Sequence, residues 1–345
     1  MSLAQDRQLF ALTATAVGAR EAAALFGVLD IDPALAAPQG ETVSRAVFAM
    51  AMNAVLFHDL LVRAPTGAAY VEDVRQAGGR VIFDHGALRT IRFGQGPTGA
   101  LPPGQEAFVR ILEPLGYEMA GLYPLDRLGM TGRAYAHRDL PEAIPQFFVS
   151  ELHVERFSPV FQDAAARVFG ATRDPLDMTA NAALAAFADT GSCPAALAVE
   201  ALPHVAAAFG RWHNAPALAD YRLLLADSPE AAWIATEGQA FNHATDRVAR
   251  VEETAEAQRA LGRPIKDAVE VSASGRVRQT AFKADPTLRA FVGEDGGAVE
   301  MSVPGSFYEF ISRDAVVGED GIARLDLRFD SSNAQGIFKM TQAAA

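Results

Sequence analysis

The sequence predicts an α+β fold. Two βαβββ modules form a curved sheet around a cavity, with a helical segment before the first module and a block of helices between the two. Three observations carry that expectation. The pattern H-x-x-x-R occurs twice, at His85-Gly86-Ala87-Leu88-Arg89 and at His243-Ala244-Thr245-Asp246-Arg247, each time at or just inside strand-like sequence. Each copy continues into a helical stretch and further strand-like runs. The last run of each carries a glutamate: Glu151 in 149–156 and Glu309 in 307–313.

The elements follow from periodicity and punctuation. Residues 4–27 and 44–63 are Ala-rich with Leu, Phe and Val at helical spacing, and read as helices. A short helix over 69–77 ends at Gly78-Gly79, after which Val81-Ile82-Phe83 opens a strand running to Phe93. The Gly- and Pro-rich stretch 94–104 is a loop without the Gly-Lys-Ser/Thr of a phosphate loop. A helix over 105–115 and extended segments over 117–137 and 146–156 complete the first module. Residues 157–235 are Ala-rich and broken by Pro at 159, 175, 194, 203, 216 and 229, which predicts short inserted helices. Strand character returns at Ala240-Phe241. A helix over 250–261 stops at Gly262 with Pro264 beyond. Strands are expected near 267–273, 276–283, 298–303 and 307–313. The whole chain, 1–345, is thus expected to be one catalytic domain: a helical N-terminal segment (1–79), module one (80–156), a helical insertion (157–235) and module two (236–330).

Composition narrows the function classes. Half of the 345 residues are hydrophobic, ample for a sizeable core, and the formal charge is −12. That field disfavours nucleic acid and anionic membranes as partners, and an acidic ligand then needs its own local Arg. The single cysteine, Cys193, allows no internal disulfide and no Cys-rich zinc site. The apolar run 46–57 is short for a bilayer span, and the N-terminus lacks a basic stretch followed by an apolar one, so a cytoplasmic location is expected.

The repeated pattern points to metal chemistry. Alternate residues of a strand share a face, so His85, Ala87 and Arg89 point one way, as do His243, Thr245 and Arg247. If both first strands line one cavity, His85 and His243 converge and Glu309 completes a two-His, one-carboxylate set that leaves metal positions open. Glu151 and His153, on the matching strand of module one, are rival ligands; with both glutamates the set is His2Glu2. The Arg four residues beyond each His lies about 13 Å along the strand, and its fork suits the far carboxylate of a bound substrate. Arg89 is the first candidate and Arg247 its pseudo-equivalent. His58, His137, His204 and His213 have no partners at useful spacing.

The segments 83–90, 148–152, 241–245 and 308–313 resemble the 2-oxoadipate dioxygenase/decarboxylase (hydroxyglutarate synthase) family of the vicinal oxygen chelate, or glyoxalase-like, superfamily. The resemblance runs from about residue 40 to residue 330. It implies Fe(II) held by His85, His243 and Glu309, with Arg89 on the distal carboxylate. It implies a 2-oxo acid and O2 as reactants, with 2-oxoadipate yielding 2-hydroxyglutarate and CO2. Two other readings of the same scaffold stay open: a glyoxalase-like lyase or isomerase using Zn or Ni with four protein ligands, and a non-catalytic small-molecule binder.

Overall fold

The computed structural model describes residue 5 and residues 7–329. Its first helical stretch is two helices, α1 (Gln8–Val17) and α2 (Ala19–Val28), because Gly18 between them sits at φ +89°, a conformation that interrupts a helix. After the short strand β1 (Thr42–Ser44), Ser44 caps α3 (Arg45–Arg63) by accepting from the Val47 N–H. Pro65, at a position that needs no N–H, starts α4 (Pro65–Gln76) four residues earlier than expected.

Module one comprises β2 (Phe83–Arg92), α5 (Glu106–Leu112), β3 (Tyr117–Leu125), β4 (Met130–His137) and β5 (Gln146–His153). The inserted block holds α6 (Pro159–Phe169), α7 (Met178–Thr190), β6 (Ser192–Pro194), α8 (Ala195–Ala207), α9 (Leu218–Asp227) and α10 (Pro229–Glu237). Module two follows as β7 (Phe241–Arg247), α11 (Val251–Ala260), β8 (Glu270–Val271) and β9 (Val277–Ala281). It continues with β10 (Pro286–Val292), β11 (Ala298–Pro304) and β12 (Phe307–Arg313), and β13 (Ala315–Val317) and β14 (Ala323–Leu325) come last.

Eight strands form one curled sheet in the order β3-β4-β5-β2-β7-β12-β9-β8. Within each module the first and last strands are parallel neighbours, β2 with β5 and β7 with β12. The modules then join edge to edge through antiparallel β2 and β7, which makes the expected curved sheet continuous across both. Gly86 permits that seam: a Cβ there would lie 2.3 Å from the Phe241 ring. The strand expected at 298–303 is not in this sheet. It is β11, paired with β10 in a hairpin that periodicity did not reveal, and the Glu294–Gly297 turn closes that hairpin.

The two faces of the sheet differ. α3 and α4 pack on the convex face, against Leu88, Phe241, Ala244, Tyr308 and Phe310. α3 is the described helix with the length and apolarity to cross a bilayer, and here it is a core helix. The inserted block divides. β6 pairs with β1, and α7 and α8 join the N-terminal helices, burying Cys193. α6, α9 and α10 instead cover one end of the concave face with Trp233, and the hairpin adds Phe291 and Val303.

Candidate metal centre

Strand register assembles the site. One row across the concave face reads Gln146, His85, Thr245, Glu309; the next reads Phe148, Ala87, His243, Phe307. Side chains in a row share a face, and neighbouring strands lie about 4.8 Å apart. His85, His243 and Glu309 therefore converge although they are far apart in sequence, and one ligand atom from each lies within 4.8 Å of the others. Glu309 Oε2 is 3.4 Å from His85 Nε2 and 3.2 Å from His243 Nε2. All three residues are buried.

The donor set fits a metal ion. His243 Nε2 and Glu309 Oε1 are buried without a hydrogen-bond partner, a costly arrangement unless something binds between them. Both imidazoles are oriented through Nδ1. Asp84 Oδ1 is 2.8 Å from His85 Nδ1. Asn242 Nδ2 lies 2.9 Å from His243 Nδ1 and fixes the orientation of that ring. Thr245 donates to Glu309 Oε2 at 2.7 Å and lies 3.1 Å from His85 Nε2.

Electrostatics keep Glu309 ionised. Burial alone would raise its pKa, but the adjacent His243 and His85 hold it well below the usual carboxylate range. Burial lowers the pKa of His243. Burial also works against a charged His85, yet Asp84 and Glu309 together raise its pKa. Asp84 in turn accepts from Arg313 Nε and Nη2, while Arg313 Nη1 donates to the carbonyls of Asp326 and Arg328. That clamp holds the C-terminal segment across the site, with the Phe329 ring edge-on to His85 at 4.8 Å between centroids.

The two arginines of the repeated pattern lie at opposite ends, because β2 and β7 run antiparallel. Arg89 is buried two residues beyond the Ala87 row, with its guanidinium 5.2 Å from the Trp233 ring centroid. Burial pulls its pKa down to about 10, opposed by Glu230, so it stays charged at neutral pH. Arg247 lies beyond the His85 row; its Nη2 donates to Glu142 O and its Nε is 3.9 Å from Asp84.

Glu151 and His153 do not join the centre. Glu151 is in register with Thr90, on the face opposite His85 and Arg89. There it accepts from Arg133, Arg92 and the Gln105 N–H, with His153 at 3.7 Å. Aligning the modules by their first histidines places Phe148, not Glu151, at the position equivalent to Glu309. A three-residue slip in the sequence alignment of the last strands produced the rival. His137 and His213 are buried elsewhere, where burial lowers each to about 4. Asp84 and Asn242, each just before a histidine of the triad, form a repeated signal that lies outside the H-x-x-x-R spacing. Arg313, Phe148 and Phe329 carried none.

The fold and this centre define a protein of two paired βαβββ modules with a buried two-histidine, one-carboxylate group that could hold a metal ion. Residues 52–343 match the 2-oxoadipate dioxygenase/decarboxylase family, and the chain belongs to it. It is similar to a glyoxalase-superfamily protein of Ralstonia eutropha JMP134, with 50% identity, a TM-score of 0.88, and coverage of 94% of this chain and 98% of that one. It shares its fold with the hydroxyglutarate synthase of Oryza sativa, solved with 2-oxoadipate (20% identity, TM-score 0.65, 89% and 97% covered). The same holds for that of Pseudomonas putida, also solved with 2-oxoadipate (19%, 0.56, 88% and 75%). No curated protein matches the chain.

Proposed function

We propose that the protein is an Fe(II)-dependent dioxygenase and decarboxylase that converts a 2-oxo dicarboxylic acid, such as 2-oxoadipate, with O2 to the 2-hydroxy acid shortened by one carbon, such as 2-hydroxyglutarate, and CO2. Its family membership supports the reaction class. The observation that carries the reading is the asymmetric donor set: His85, His243 and Glu309 converge, while Phe148 occupies the position a fourth ligand would need. Three protein ligands leave room for a chelating substrate and for O2, whereas a lyase with four protein ligands has less.

When bound, the iron supplies oxygen activation and a Lewis-acidic seat for the 2-oxo acid. The chain supplies the rest. Thr245 and Asp84 hold Glu309 and His85 in place. Phe148, Phe307 and Phe329 wall the centre and exclude water, which strengthens each charge interaction inside. Arg89, pressed on Trp233, offers a rigid fork to the distal carboxylate. Arg247, at the other end of the strand pair, is the second candidate contact for a carboxylate.

The test is anaerobic Fe(II) reconstitution followed by oxygen-electrode assays on a panel of 2-oxo acids. Equal O2 uptake and CO2 release, greatest with dicarboxylic members, is expected. Turnover without oxygen on Zn or Ni would establish the lyase or isomerase instead. Tight 2-oxo acid binding without turnover on any metal would establish a binding protein.

A further inference from the structure

Beside the metal centre, on the module-one side, lies a cavity of about 540 Å3 between β3–β5 and the C-terminal segment. Its charged lining residues are Arg276, Arg324, Arg328 and Asp326. Arg328 and Arg276 pair with Asp326 and Arg324 pairs with Asp320, so three cations face two anions and the lining keeps a small positive excess within a chain of net charge −12, which favours an anion there. Tyr123 and Gln146 also line it, and Gln146 is where the cavity and the metal centre meet, in register with His85 on the adjacent strand.

Gln146 is only 2% exposed, and neither Nε2 nor Oε1 has a hydrogen-bond partner. A desolvated primary amide with both ends unmatched is destabilising by itself. The fold does not require it, because the equivalent position of module two is Phe307, which packs its ring on His243. A polar group has been placed where the architecture accepts an apolar one, aimed into a cationic cavity beside a metal ligand.

We infer that Gln146 is a recognition residue for the carboxylate of the ligand that reaches the metal centre, and that the cavity is its path of entry. Nε2 donates to a carboxylate oxygen, and Oε1 accepts from a water carried in with the ligand. This inference rests on the proposal that a 2-oxo acid binds at the triad. It assigns specificity to a side chain that does not ligate the metal.

The test uses the full chain loaded with Mn(II) and kept free of oxygen. The Kd of Mn(II) and the Kd values of 2-oxoadipate and of glutarate, which lacks the 2-oxo group, are read by calorimetry. In Gln146→Leu, Mn(II) affinity should be unchanged and 2-oxoadipate binding weakened about tenfold, the scale of one lost hydrogen bond to a charged group. The apoprotein of that variant should melt higher, because an unmatched amide is gone. Gln146→Glu should weaken 2-oxoadipate further by charge repulsion. Unchanged 2-oxoadipate Kd values in both variants would overturn the inference and leave the 2-oxo acid reading standing. A parallel fall in Mn(II) affinity would overturn it as well, assigning Gln146 to the metal. If the wild type binds Mn(II) but no 2-oxo acid, the 2-oxo acid reading fails. Glutarate binding that weakens in Gln146→Leu would then sustain the inference, and absence of any carboxylate binding would end both.

Discussion

In module one, β2 and β5 present His85 and Phe148 to the concave face; in module two the equivalent strands, β7 and β12, present His243 and Glu309. The position three residues beyond each histidine differs as well: module one buries Leu88 there and module two buries Asp246. The arginines differ too, one pressed on Trp233 and the other beside Asp84 and the Glu142 carbonyl. A duplicated scaffold supplies matched positions, and the substitutions within them decide how many ligands a metal meets and which end of the cavity holds a buried charge. Duplication therefore locates a site without making its halves equivalent.

The largest effect should come from removing the feature that module one lacks. Glu309→Gln keeps the shape and deletes the charge, and metal retained after dialysis should fall to background. A buried charge removed from its partners is worth roughly 3–5 kcal/mol. Metal content equal to the wild type would transfer the ligand role to another residue. The reciprocal change, Phe148→Glu, puts a carboxylate at the matching position of module one. The apoprotein should lose several kcal/mol on the scale of about 2–5 for a buried polar group without a partner, measured by urea unfolding. Zn(II) should recover much of that loss while oxygen-dependent turnover disappears. Survival of full turnover would show that a fourth carboxylate is tolerated and that the asymmetry of the modules does not set the chemistry.

Asp246 offers a comparison on the convex face. Burial raises its pKa to about 7, against the opposing hydrogen bonds from the Tyr70 hydroxyl and the Ile82 N–H. A carboxyl with a folded pKa above its unfolded value keeps its proton longer when folded. Stability should then fall as pH rises from about 4 to about 7, by on the order of 4 kcal/mol for this group. Asp246→Asn should flatten that part of the profile in urea midpoints between pH 5 and 8. An unaltered slope would assign the dependence to other groups.

The smallest and most selective effect concerns the two arginines. Arg89→Lys keeps the charge but loses the fork and the stacking on Trp233, so kcat/KM for dicarboxylic 2-oxo acids should fall by about 1.5–3 kcal/mol, with monocarboxylic ones less affected. Arg247→Lys should change that selectivity little. If selectivity follows Arg247 instead, the substrate lies in the reverse direction along the strand pair.

Much of the centre was legible because it depends on short-range pattern. His85 and Arg89, and His243 and Arg247, lie four residues apart on single strands, and alternation alone places each pair on one face. Glu309 stands in an aromatic strand, where a buried carboxylate requires a partner. Glu151 passed the same test of context, yet its partners are Arg133, Arg92 and the Gln105 N–H on the other face. A one-residue change of register reverses a strand's face, and nothing local to 146–153 reports that register. The strand expected at 298–303 was given no partner for a related reason: only pairing reveals that it bonds to 286–292 in a hairpin outside the main sheet.

By itself, then, the sequence determined the alternation of helices and strands, the duplication, and the residue types gathered for a metal. These follow from periodicity, turn residues and side-chain chemistry, all properties of neighbouring residues. Tertiary structure alone decided that β2 and β7 form the seam, that Phe148 rather than Glu151 shares the face of His85, His243 and Glu309, and that the inserted helices divide between the two faces. It also decided that Arg313 reaches back to Asp84 and clamps the C-terminal segment over His85. Each depends on which strands pair and in what register, a choice made by burying apolar surface over the whole chain, so no local stretch encodes it.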